Sequence, residues 1–146
     1  MRKSTLVLAS ILLPLATLAW TRNTPSNDSA AVSAVAQSYM DAYYHADPAL
    51  MQRVLHPDFH KRTLRTVNGH TEISEDTALS MVQGVRQGSG LAFPPGQRVQ
   101  KIQVLDIYKD AASVKVVTSR WTDYMHLTKL NGEWRVLDVV LQYTDR

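Results

Sequence analysis

There is no cysteine among the 146 residues. That excludes a disulfide framework and a lipoprotein anchored through a lipidated cysteine, since both need a thiol. No apolar run is long enough to cross a membrane. The longest, Leu6–Leu18, is interrupted by small polar residues and falls short of the roughly 20 residues that a spanning helix needs. No glycine-rich phosphate loop and no internal repeat appears. A strong charge of one sign is also missing. Basic residues outnumber acidic ones 16 to 13, but residues 1–19 hold two of the basic groups and none of the acidic ones. Without that segment the chain is close to neutral. Lys61-Arg62 and Arg65 form the only local basic cluster, too short for a nucleic-acid interface. It reads as a solvated strand face.

What is present divides the chain in three. Arg2-Lys3 is a positive n-region, Leu6–Leu18 an apolar core, and Thr17-Leu18-Ala19 a set of small residues suited to a signal peptidase. Residues 1–19 therefore read as a secretory signal peptide with cleavage near Ala19. The mature product is expected in the periplasm or the medium, with no stable membrane association. Residues 20–28 are polar and turn-rich and read as a flexible tail. Residues 29–146 form one domain, a length that supports one core.

From Ser29 a helical period sets in, with Val32, Val35, Ala36, Tyr39, Met40 and Tyr43 at spacings of three and four. Asp47-Pro48 is a helix start, with Asp as N-cap and Pro in the first turn. His56-Pro57 ends that short helix. Lys61–Val67 reads as a strand closing at Asn68-Gly69. Ser74 is the expected cap of a third helix whose stripe is Ala78, Leu79, Val82 and Val85, and Gly88 ends it. Beyond a proline-containing loop the period becomes two. Strands are expected over 97–108 and 112–118, followed by a hairpin over 123–143 whose two-residue turn is Asn131-Gly132. Helices grouped first and an antiparallel meander last give an α+β fold, with three helices on one side of a curved antiparallel sheet.

The segments "YMDAYYHADPALMQRVLHPDFHKRTL", "VLDIYKDAASVKV" and the hairpin carry a resemblance. In order and spacing they resemble the nuclear transport factor 2-like superfamily and, more narrowly, its exported members labelled putative lumazine-binding. The resemblance implies a cystatin-like cone with a pocket between helices and sheet.

The hairpin poses the main question, because both faces of its second strand are apolar. Counting out from the turn pairs Thr128 with Arg135, His126 with Leu137 and Tyr124 with Val139 on one face. Lys129 with Trp134, Leu127 with Val136 and Met125 with Asp138 share the other. The resemblance to steroid isomerases implies that the His126 face points into the cone. A pocket is then expected from Tyr39 and Tyr43 on the first helix and His60 just before the first strand. Tyr124, His126, Leu137, Val139 and Leu141 complete its wall on the hairpin. The face with Met125, Leu127, Trp134, Val136 and Val140 is expected outside, where a contiguous apolar patch marks an interface. A homodimer through the sheet follows.

For chemistry, the isomerase resemblance matches Tyr39 to an oxyanion-hole tyrosine and His126 to its acid. The matching base position falls near Thr63, and a threonine hydroxyl is no base near neutral pH. A His126 acid/base site oriented by Asp138 or Asp123 conflicts with the pairing, which puts both aspartates on the opposite face. His56 and His60 are four apart, but Pro57 breaks any helix between them and no third ligand is near. Neither metal nor cofactor is expected. The reading is an exported, non-catalytic protein binding a small apolar or aromatic ligand. The alternative is an isomerase or dehydratase using His126 and Tyr39.

Overall fold

The computed structural model describes residues 25–144. The signal-like segment and the first part of the expected tail lie outside the described residues. Helix α1 (Pro25–His45) leads into α2 (Pro48–Val54), strands β1 (Leu55–Val67) and β2 (His70–Thr77), and α3 (Ala78–Arg86). After a short 3-10 turn come β3 (Val99–Tyr108), β4 (Ala111–Thr118), β5 (Trp121–Leu130) and β6 (Glu133–Tyr143). The six strands form one curved sheet in the order β2-β1-β6-β5-β4-β3. Neighbours are antiparallel except β1 and β6, which run parallel. Three helices cover one face of this sheet. The class is α+β.

The helix starts follow from their caps. Asp47 accepts a hydrogen bond from the Leu50 amide at 2.8 Å, with Pro48 in the first turn of α2, satisfying an amide that the helix leaves unpaired. On α1, Val32, Ala36, Tyr39 and Met40 are buried at helical spacing. The helix starts at Pro25, so residues 25–28, expected in the tail, belong to the domain. The buried carboxylate of Asp28 accepts from the Trp134 indole at 3.1 Å and pairs with the Lys129 ammonium at 3.0 Å. That contact ties the start of α1 to the end of the β5–β6 hairpin.

Three expectations change. The cap of α3 is Thr77, not Ser74. Thr77 and Ser80 exchange side-chain and backbone hydrogen bonds in a capping box. Ser74 instead lies in β2, a strand absent from the sequence reading. Asn68 and Gly69, at φ 51° and 78°, turn β1 straight back into β2 as a hairpin. The α3 stripe is correspondingly rotated, with Met81 and Val85 buried and Leu79 exposed.

The third change concerns the hairpin faces. The Asn131-Gly132 turn forms as expected, with φ 53° and 84°. Pairing follows the expected register as far as Leu127–Val136, where a bulge shifts the rest by one: His126 pairs with Asp138, Met125 with Val139 and Asp123 with Leu141. Met125, Leu127, Trp134 and Val136 are all buried in the core beneath the helices. They are not a dimer face, and the patch that motivated a homodimer is the interior of the domain. Tyr124 and His126 point the other way and are exposed. Val140, also offered to the interface, is only half-buried on that outward side.

Removing the Asp28 carboxylate leaves the Trp134 N–H and a largely buried ammonium without their acceptor. Asp28→Ala should therefore lower unfolding free energy by about 2–4 kcal/mol. Urea denaturation checks this. An unchanged midpoint would show that the contact does not anchor α1.

Candidate functional site

A sheet face turned towards helices is ordinarily apolar. Here its half nearest β2 is not. Strand alternation places Lys61, Thr63 and Arg65 on the inward row of β1. In register they face Asp76, Ser74 and Glu72 of β2. Lys61 and Arg65 are thus not part of a solvated outer face; of the basic cluster only Arg62 is on the outward side. With β5, β6, α1 and α3, all of these inward residues except Glu72 line a cavity of about 290 Å³. Its floor includes Asp123 and Leu141, its roof Tyr39, Tyr43 and Met81, and its end wall Phe93 and Trp121.

The end wall depends on one glycine. A Cβ at Gly90 would overlap the Tyr43 backbone carbonyl, so only glycine lets the loop after α3 lie against α1. The Tyr43 hydroxyl donates to the Ser89 carbonyl at 3.3 Å. This close approach brings Phe93 into edge contact with Trp121, with ring centroids 5.2 Å apart.

Asp123 is the chemically unusual group. It is buried, and its Oδ2 accepts from the Trp121 indole N–H at 2.9 Å. Its Oδ1 has no hydrogen-bond partner. Burial pushes its pKa above the ordinary 3.8, against the Lys61 charge and the indole bond, which pull it down. Lys61 donates to the Tyr39 hydroxyl at 3.5 Å. Desolvation disfavours its charge, but Tyr39 and Asp123 outweigh this and hold its pKa above normal. Tyr39 is itself raised to about 12, chiefly by burial. It is therefore neutral near pH 7, whereas Asp123 is an acidic group whose charge acts on Lys61. The two line the same cavity without forming an ion pair.

Of the expected pocket residues, Tyr39, Tyr43 and Leu141 line this cavity. Val139 is buried in the core but not on the cavity wall. His60, Tyr124, His126 and Leu137 are not in it. His60 bonds Glu75 on the outward face, and Leu137 sits beside His126 in a shallow depression there. The bulge also reverses the expected separation of His126 from Asp138, placing Nδ1 and Oδ2 3.7 Å apart. Arg62 links that aspartate, at 3.1 Å, to Glu75 at 3.5 Å. These groups form a half-exposed surface chain outside the inner cavity. Asp123, not His126, lines the cavity with Tyr39.

The architecture is that of the nuclear transport factor 2-like, cystatin-like class. An NTF2-like protein of unknown function from Shewanella baltica superposes with a TM-score of 0.64 at 17% identity, covering 86% of this chain and 100% of its own. A cystatin-like protein from Caulobacter vibrioides gives 0.59 at 16% identity, covering 80% and 89%. A protein described as a putative dehydratase from the NTF2-like family of Streptomyces avermitilis gives 0.59 at 10% identity, covering 84% and 100%. At these identities the likeness is one of fold. The chain belongs to the family described as Putative lumazine-binding, which matches residues 27–141. No curated protein matches it significantly.

The raised pKa of Asp123 has a signed consequence. A group that binds its proton more tightly when folded contributes stability below its unfolded pKa, and that stability is lost as pH rises through the folded value. The wild-type protein should therefore lose stability relative to Asp123→Asn as pH climbs from about 3.8 through the folded pKa. Denaturant midpoints of the two proteins across that range test this. Parallel curves would contradict it.

Proposed function

We propose that this chain is an exported small-molecule-binding protein whose ligand occupies the cavity between β1, β2, β5 and the helices. The observation that carries the reading is the buried, unpartnered Oδ1 of Asp123 in a cavity of about 290 Å³. An orphaned buried oxygen costs about 1–3 kcal/mol. A ligand that donates to it, or accepts from the acid form, recovers that loss. The cavity is polar along β1 and β2 and apolar and aromatic along the helices and end wall, so fixed polar groups can orient a ligand whose body packs on the other side. The aromatic wall of Tyr43, Phe93 and Trp121 suits a flat, largely apolar body. A pteridine, as the family description suggests, is flat enough to lie on that wall and polar enough to meet Asp123 and Lys61, and other planar ring systems share the flatness.

Binding rather than turnover is supported by Thr63, the position matched to the isomerase base, which carries no carboxylate. A second reading is favoured by Asp123 itself. A carboxyl with raised pKa beside a neutral tyrosine can donate to a carbonyl oxygen as charge develops there. An isomerase or dehydratase would then use Asp123 and Tyr39, with Asp76 the other carboxylate on the cavity wall.

Native mass spectrometry of the protein from its own host tests the reading. We expect an adduct of a few hundred daltons, retained on a polypeptide that starts near Trp20 and weakened in Asp123→Asn. A ligand-free protein in gentle conditions, or an adduct indifferent to that substitution, would count against the site. A full-length intracellular product would count against export.

A further inference from the structure

The inner cavity has a neighbour across Arg65 and Tyr143. Arg65 and Tyr143 also line a second concavity of about 440 Å³, together with Arg120, Ser119, Thr66 and Thr144. Within it are two guanidinium groups and several hydroxyls, and no carboxylate lines it among the described residues. Glu72 is opposite Arg65 in the β1–β2 register but forms no ion pair with it. Among the described residues neither Arg65 nor Arg120 has an ion-pair partner.

Both arginines are held in place by other means. The Arg65 guanidinium lies over the Tyr143 ring at 5.4 Å, and that of Arg120 lies over Phe93 at 5.8 Å. Stacking leaves the N–H edges of a guanidinium available for hydrogen bonds. The corner carrying Arg120 is fixed by the buried Thr118 hydroxyl. It accepts from the Arg120 and Trp121 amides at 3.1 and 3.0 Å and donates to the Trp121 carbonyl at 2.9 Å. The Thr144 amide donates to the Arg120 carbonyl at 2.9 Å. One corner therefore positions both Trp121, which holds Asp123, and Arg120. Each stacking ring is also a wall of the inner cavity.

From this arrangement we infer that the ligand is a flat, apolar acid. Its ring body lies in the inner cavity, and its carboxylate or phosphate is received at the mouth by Arg65 and Arg120. Two arginine forks facing one space match the paired oxygens of such groups. The chemistry is divided along the ligand: an uncharged polar edge meets Asp123, Lys61 and Tyr39, and the anion stays near solvent, where it keeps part of its hydration. The inference rests on the reading of the inner cavity as a small-molecule site and adds the charge of the molecule that fills it.

Three probes of one shape separate the alternatives: 2-naphthoate, 2-naphthyl phosphate and the neutral 2-naphthamide, titrated into the full chain by calorimetry at low salt. At least one acid should bind the wild type about tenfold or more tightly than the amide, a preference weakened by salt. Whichever acid is preferred identifies the anion. In Arg65→Gln/Arg120→Gln the ratio of acid to amide affinity should fall towards one. Equal wild-type affinities, or an unchanged ratio in the double variant, would overturn the inference while leaving the cavity as a site for neutral ligands. Thr63→Trp fills the inner cavity and should abolish binding of all three. Acid binding retained there would place the anion on surface arginines alone, which also overturns the inference. Failure of all three probes on the wild type would remove the cavity reading together with it.

Discussion

A single displaced residue in β6 decides which side chains this protein turns inward. Strict alternation from Trp134 and Val136 would carry Asp138 and Val140 under the helices and put Val139 and Leu141 outside. The bulge after Val136 inserts one residue, and the inward row becomes Trp134, Val136, Val139 and Leu141. Because β6 lies between β1 and β5, its register is passed to both. Val139 and Leu141 stand beside Lys61 and Thr63 on one side and beside Met125 and Asp123 on the other. A bulge that re-aims a strand next to a site is a recurrent device. Here it keeps Asp138 in the outward charge chain and places Leu141 on the cavity floor next to Asp123.

Given that register, the inward face splits into two unlike halves. Towards β4 the row is Ala112, Val114 and Val116, and it forms ordinary core with Met125 and Leu127. Towards β2 the row is Lys61, Thr63 and Arg65, residues that cannot be close-packed against helices without losing hydration. A cavity is the physical consequence. Asp123 sits at the boundary between the halves. It is near enough to the core for desolvation to raise its pKa and near enough to Lys61 for that rise to be opposed. The balance leaves a carboxyl that is neither a routine surface acid nor a satisfied buried one.

Much of the architecture was legible in the sequence. Helical spacing located α1, Asp47-Pro48 started α2, and Asn131-Gly132 placed the final turn because left-handed φ values favour those residues. Edge strand β2 was missed because HTEISEDT is exposed over nearly its whole length and shows no apolar alternation, although Asn68-Gly69 was a hairpin signal of the same kind. The bulge had little to announce it, beyond Val139 and Val140 standing side by side. The inverted faces have a different cause. Met125, Leu127, Trp134 and Val136 form the more apolar face, and the simplest physical rule puts such a face in the core. Likeness to the steroid isomerases points the opposite way, and the burial of these four side chains follows the physical rule. That rule also sets Asp123 on the buried face of β5.

The central claim is that Asp123 is a buried, proton-retaining carboxyl electrically coupled to Lys61. Carbon-detected NMR of the aspartate carboxyl groups, with Asp123 assigned by its absence from Asp123→Asn, tests this most directly. The titration midpoint of Asp123 should lie above the ordinary 3.8. It should move higher still in Lys61→Met, where the nearby positive charge is gone and burial remains. A midpoint at or below the ordinary carboxylate value, or one that Lys61→Met leaves in place, would contradict the account.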